Sequence, residues 1–186
     1  MRKIILTGIF CFAVTSAFAA DAPNFGVPAD PARMKAWDIS ILPDGSNLPP
    51  GKGSVKEGEA IYAEKCQMCH NEQGKGQPAD RLTGGIGSLA TQQPIKTVAS
   101  YWPYATTLFD YIRRAMPQSA PQSLPPDDVY AVSAYLLYLN DLLPADAVLD
   151  ATRLAAIKMP NRAMFVDDPR PDVKNVACVT GCSDGK

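Results

Sequence analysis

Histidine is almost missing from this sequence: among 186 residues there is one, His70. That count excludes a hydrolase with a Ser-His-Asp set and a spare His, and it excludes any multi-His zinc or copper centre. An excess of either charge is also missing. Eighteen basic residues stand against nineteen acidic ones, with no basic run longer than two. A phosphate backbone needs a positive stripe to hold it, so nucleic acid is excluded as a partner. Long apolar runs are scarce as well. The one uncharged, mostly apolar stretch, Ile4 to Phe18, is shorter than the ~20 residues of a membrane-spanning helix.

That stretch follows Arg2 and Lys3 and ends in Ala17-Phe18-Ala19, a small-x-small cleavage form. Residues 1–19 therefore read as a signal peptide, against the rival reading of a retained anchor. The expected mature chain starts at Ala20, is periplasmic and has no membrane span. Losing Arg2 and Lys3 leaves a net charge of −3, and losing Cys11 leaves four cysteines, Cys66, Cys69, Cys178 and Cys182.

The remaining composition is that of an ordinary globular domain, 46% hydrophobic and 20% charged. Six Phe, seven Tyr and two Trp supply one modest core, while 17 Pro and 13 Gly demand much irregular chain around it. Chemistry concentrates at Cys66-Gln67-Met68-Cys69-His70, the C-x-x-C-H form of covalent haem c attachment. Two thiols one helical turn apart can each form a thioether with the same porphyrin, and the adjacent imidazole then becomes the proximal iron ligand. A thioredoxin-like redox pair would need a βαβ context, and a zinc site would need further ligands.

Residues 20–53 hold six prolines and no sustained periodicity, so they read as an extended arm that Trp37 and Ile39 could pin. A free linker is the other reading. Residues 54–143 read as the haem domain. Ser54-Val55-Lys56-Glu57 forms a capping box opening a helix toward the cysteines. Pro125-Pro126-Asp127-Asp128 suits the start of a last helix of about four to five turns, whose apolar face is Val129, Val132, Leu136 and Leu139 and which Pro144 stops. Gly58 offers a place where Tyr135 could approach closely. Thr83-Gly84-Gly85-Ile86-Gly87 is a glycine loop without the flanks of a phosphate cradle. Close approach of its backbone to a flat ring is the better use of those glycines. Thr107 to Ala115 reads as a short helix with Leu108, Tyr111 and Ile112 on one side. Residues 144–186 form an extension with a short helix near Asp150 to Ile157 and, in an exported chain, a local Cys178–Cys182 disulfide or a pair of thiols.

An iron held by His70 needs a second axial group or stays open. Methionine is the expected partner in an electron carrier. Met68 lies inside the attachment motif and cannot reach the far face. Met116, in Ala115-Met116-Pro117, is the first choice and Met159, in Lys158-Met159-Pro160, the second.

Beyond these motifs the chain resembles the class I c-type cytochromes, and within them the SoxD-type cytochrome subunits of sulfane dehydrogenases. The similarity runs through Trp37-Asp38-Ile39, Pro43-Asp44-Gly45, Leu48-Pro49-Pro50-Gly51, Asp80-Arg81-Leu82 and the Gly84 to Leu89 and Lys96 to Val98 segments. It is most specific from Ser100 to Ile112 and continues through Ala115-Met116-Pro117, Ala120 to Leu124 and Met159 to Arg162. The resemblance implies an all-α class I cytochrome c fold with one haem c on Cys66, Cys69 and His70, and Met116 on the iron. It also implies a molybdenum-cofactor dehydrogenase of the sulfite oxidase type as electron donor and a soluble cytochrome c or oxidase as acceptor. SoxD-type subunits are similar to two such modules in tandem, whereas this chain carries one C-x-x-C-H, and Asn71 follows the haem His where many relatives have Gly. The expectation is a periplasmic electron-transfer subunit rather than an enzyme. A free mono-haem shuttle and an open-site haem enzyme or sensor are the competing readings.

Overall fold

The computed structural model describes residues 26–170. The signal segment and the Cys178/Cys182 pair lie outside the described residues. Seven α-helices, three short 3-10 turns and one small two-stranded sheet are present among them, so the fold is all-α in class.

The capping box forms as the sequence requires. The Glu57 N–H donates to Ser54 Oγ and the Ser54 N–H donates to Glu57 Oε2, at 3.2 and 2.8 Å, which starts α2, Val55–Lys65. The Ser54 hydroxyl also donates to Glu57 Oε2 at 2.6 Å, and this bond, with the one from the Ser54 N–H, holds the Glu57 carboxyl below its ordinary pKa. Removing the cap by Ser54→Ala is expected to cost about 1 kcal/mol, read as a shifted denaturation midpoint. Asp127 and Asp128 lie in the first turn of α6, Pro126–Tyr138, with Pro126 at its first position. This helix is shorter than the sequence suggests. It stops at Tyr138, well before Pro144, because the buried Asn140 side chain takes up the Leu136 carbonyl at 2.8 Å.

Helices α2 and α6 cross at glycine. A Cβ on Gly58 would stand 1.9 Å from the Ala131 carbonyl oxygen and 2.9 Å from Tyr135 Cβ, so only glycine fits. Tyr62 then packs on Tyr135 with ring centroids 5.4 Å apart. Just before α2, strand β1, Lys52–Ser54, pairs antiparallel with β2, Val148–Asp150, and a Cβ on Gly53 would likewise meet the Ala131 backbone. This sheet was not evident from sequence.

Two expectations about the helices need correction. In α5, Ala105–Ala115, the buried set is Leu108, Phe109 and Ile112, while Tyr111 is 48% exposed. Phe109 stacks on Tyr130 at 4.5 Å, and Tyr111 lies against Trp102. Helix α6 is buried on nearly every side rather than along one stripe, and Leu139, its C-cap, is only half-buried. Strand β1, helices α2 and α5 and, from the extension, β2 all pack against α6. Leu149 in β2 and Leu154 in α7, Ala151–Ala156, are fully buried against the core, so packing does not break at residue 143.

The arm is also more structured than its prolines suggest. It contains α1, Pro31–Trp37, capped by the Asp30 side chain. Trp37 does not pin it, being 81% exposed, and Ile39 is only half-buried. Ile41 anchors it instead: its side chain is buried, and its N–H donates to Asp110 Oδ1 at 3.0 Å. Farther on, Tyr130 OH donates to the Pro49 carbonyl at 2.8 Å, and burial raises that phenol's pKa to about 12.

Candidate functional site

Helix α2 ends at Cys66, which also opens the single turn α3, Gln67–His70. The Cys69 and His70 N–H groups both donate to the Cys66 carbonyl, at 3.1 and 2.9 Å. Cys66 is half-buried and Cys69 exposed. Burial, reinforced by the neighbouring Cys69, pushes the Cys66 thiol up to about 11. Met68, between them, is 86% exposed.

His70 is oriented from behind. Its Nδ1 lies 2.8 Å from the Asp80 carbonyl oxygen. A carbonyl only accepts, so Nδ1 carries the proton and Nε2 keeps its lone pair for a metal. Between His70 and Asp80 the chain makes a tight loop. The Gly76 N–H donates to the His70 carbonyl and the Ala79 N–H to the Cys69 carbonyl, at 2.9 and 2.8 Å. Asn71 opens this loop at φ 61, ψ 174, a backbone region that glycine adopts far more readily. The strain is held by Asn71 Oδ1, which accepts from the Glu72 N–H, and by the Asn71 carbonyl, which accepts from Tyr62 OH.

The candidate sixth ligands sit in different surroundings. Met116 is the C-cap of α5, half-buried on the core, as are Cys66, Leu82 and Trp102. Met159 is 4% exposed within the core itself. Met34, Met68 and Met164 are largely exposed. Beyond Met159 the chain folds onto the Tyr101 to Tyr104 segment. Asn161 Nδ2 donates to the Tyr101 carbonyl at 2.7 Å, Arg162 lies over the Tyr104 ring, and Phe165 meets Tyr101 edge-on. An apolar cleft of about 610 Å³ lies between this strap and Ile86, Leu89 and Tyr101; neither the motif residues nor Met116 line it.

The glycine loop is shaped by packing. A Cβ on Gly85 would stand 2.6 Å from the Ile95 carbonyl oxygen, whereas Gly84 and Gly87 face open space at positive φ. Thr97, just beyond, caps the short helix α4, Val98–Tyr101. Sequence reasoning missed the Asp80 carbonyl and Asn140, since a backbone acceptor has no side-chain signature and Asn140 reads only as a helix end.

These donors fit one group well. Two thiols and an imidazole converge on one short helix beside half-buried apolar side chains, and no cluster of three or more His, Cys, Asp or Glu suited to a metal ion exists among the described residues. A zinc site would require such a cluster.

Comparison with known proteins bears on the same residues. The family model for cytochrome c matches residues 55–140. A chain in the crystal structure of the sulfane dehydrogenase SoxCD from Paracoccus pantotrophus is 39% identical, with a TM-score of 0.74. That match covers 89% of this chain and 84% of the solved one. The two chains are thus of comparable length. No curated protein sequence matches.

Proposed function

Because this chain belongs to the cytochrome c family, an electron carrier with covalently bound haem c, we propose that it is the mono-haem, electron-accepting subunit of a molybdenum-dependent sulfur-compound dehydrogenase. The observation that carries this reading is the 39% identity to a chain of a sulfane dehydrogenase over 89% of this one, with C-x-x-C-H intact. Haem c bound here supplies a one-electron ferric–ferrous couple.

The chain's own residues do the rest. Cys66 and Cys69 anchor the porphyrin, and His70 presents Nε2 to the iron while the Asp80 carbonyl holds the proton on Nδ1. Met116 would be the methionine that holds the iron; its place at the half-buried edge of the core favours it over Met159, which is packed inside. Residues 1–19 direct export to the periplasm, and residues 54–143 carry the haem. Electrons leave to a soluble cytochrome c or an oxidase. No helix among the described residues is long and apolar enough to cross a membrane. A fixed partner also gives a use to the exposed Trp37 and Tyr111, since aromatic side chains are the usual anchors of interfaces.

Purification of the untagged protein from its native periplasm tests this. The expected result is one haem per chain by intact mass and co-elution with molybdenum at fixed stoichiometry. A molybdenum-free monomer would instead identify a free shuttle.

A further inference from the structure

The Asp80 carbonyl that orients His70 belongs to a loop with no regular structure of its own, so something must hold that loop still. Part of the restraint is local. The Ala79 N–H donates to the Cys69 carbonyl and the Leu82 N–H to the Gly74 carbonyl, both at 2.8 Å. These bonds tie the loop to the attachment segment, which shares whatever motion the loop has. Arg81 Nε and Thr83 Oγ1 add bonds to the Lys75 and Gln73 carbonyls, at 3.2 and 2.9 Å, and a restraint from outside the segment comes from the far end of α6. Asn140 is 3% exposed, and its side-chain amide makes three hydrogen bonds. Oδ1 accepts from the Gly84 N–H at 3.0 Å, and Nδ2 donates to the Leu136 carbonyl at 2.8 Å and to the Leu82 carbonyl at 3.3 Å. One bond holds α6 and two hold the loop, within four residues of Asp80. Thr97 Oγ1 donates to the Gly84 carbonyl at 2.6 Å and so fixes the same glycine from its other side.

We propose that Asn140 is a positioning residue for the proximal ligand: by clamping Leu82 and Gly84 to α6 it fixes the Asp80 carbonyl against His70 Nδ1 and so sets the electron-donating strength of Nε2. The proposal rests on the reading of His70 as the iron ligand. An imidazole whose Nδ1–H is held by a strong acceptor is a better donor to the metal and favours the ferric state. A buried side-chain network is also the part of the fold in which one lost member leaves several groups unpaired.

Asn140→Ala and the gentler Asn140→Ser test it in the haem-loaded protein. Loosening the loop weakens the Nδ1–H bond, so both variants shift the couple toward the ferrous form. The expected ferrous-to-ferric ratio at fixed poise rises on the order of threefold, roughly 30 mV at 59 mV per tenfold for one electron. Exchange of the His70 Nδ1 proton with solvent, followed by NMR, speeds on the order of tenfold, as expected when a local opening becomes easier. Leu154→Ala is the control for a merely structural effect. It removes a fully buried side chain of α7, lowers stability, and leaves the potential and the proton exchange unchanged. If Asn140→Ala does not accumulate, the Ser variant, which keeps a neutral hydroxyl, supplies both readouts in its place. Wild-type potential and proton exchange in an Asn140 variant would overturn the proposal. Failure of the underlying reading looks different, since the unaltered holoprotein would then lack the spectrum of a histidine-ligated haem.

Discussion

Met116→Ala converts a low-spin haem to a high-spin one that binds cyanide readily, and lowers its potential by on the order of 0.1–0.3 V within the roughly 0.8 V that axial ligation spans. The sign follows from the thioether, a soft donor that favours the ferrous state, so its loss makes the iron harder to reduce. The prediction separates two methionines by their surroundings. Helix α5 closes with the Met116 N–H donating to the Ile112 carbonyl at 3.0 Å, after which the backbone turns extended and frees the side chain from the helix. Met159 is 4% exposed in the core, and its truncation to Ala is expected to cost about 2–5 kcal/mol of stability while leaving the spectrum unchanged. Visible spectra and redox titration of the two variants decide between them. The reverse pattern would assign the ligand to Met159, and two unchanged spectra would leave neither as ligand.

Gly58→Ala carries the second large effect, and it falls on the fold. The added Cβ meets the Ala131 carbonyl oxygen at 1.9 Å and its carbon at 2.5 Å; these are backbone atoms that cannot swing aside. The two helices must part, and the Tyr62–Tyr135 contact goes with them. Alanine is the better helix former by about 1 kcal/mol, yet overpacking of this kind typically costs about 1–3 kcal/mol and here involves backbone, so a net loss at or above that range is expected. Chemical denaturation of the holoprotein measures it. A midpoint equal to that of the unaltered protein would mean that α2 and α6 do not cross at Gly58.

What could be read from the sequence is what depends on neighbours in the chain. Cys66 to His70, the Ser54–Glu57 box, the Pro126-Asp127-Asp128 helix start and the short helix after Asp150 are all local patterns, and each has its expected element in the structure. Harder to read was whatever depends on what arrives from elsewhere. Lys52–Ser54 and Val148–Asp150 are each three residues long, too short for any alternation to show, and pair only because the extension returns to α2. Phe109 replaces Tyr111 in the core because Tyr130 approaches from α6, and α6 is buried all round because β1 and β2 pack on it as well as α2 and α5. The site divides in the same way. Its thiols and imidazole were legible, while the Asp80 carbonyl and the Asn140 clamp needed the folded chain.

The central claim is that electrons from a sulfur substrate reach this haem through a molybdenum subunit. Rapid mixing of the complex, purified in its oxidised state from its native host, with a reduced sulfur compound such as sulfite tests it most directly, with haem absorbance followed in time and molybdenum assayed across the same fractions. The account predicts that haem reduction follows substrate addition, that its amplitude tracks molybdenum content, and that it disappears when the molybdenum subunit is removed. A haem that stays oxidised in molybdenum-replete complex, or is reduced equally well without molybdenum, would contradict it.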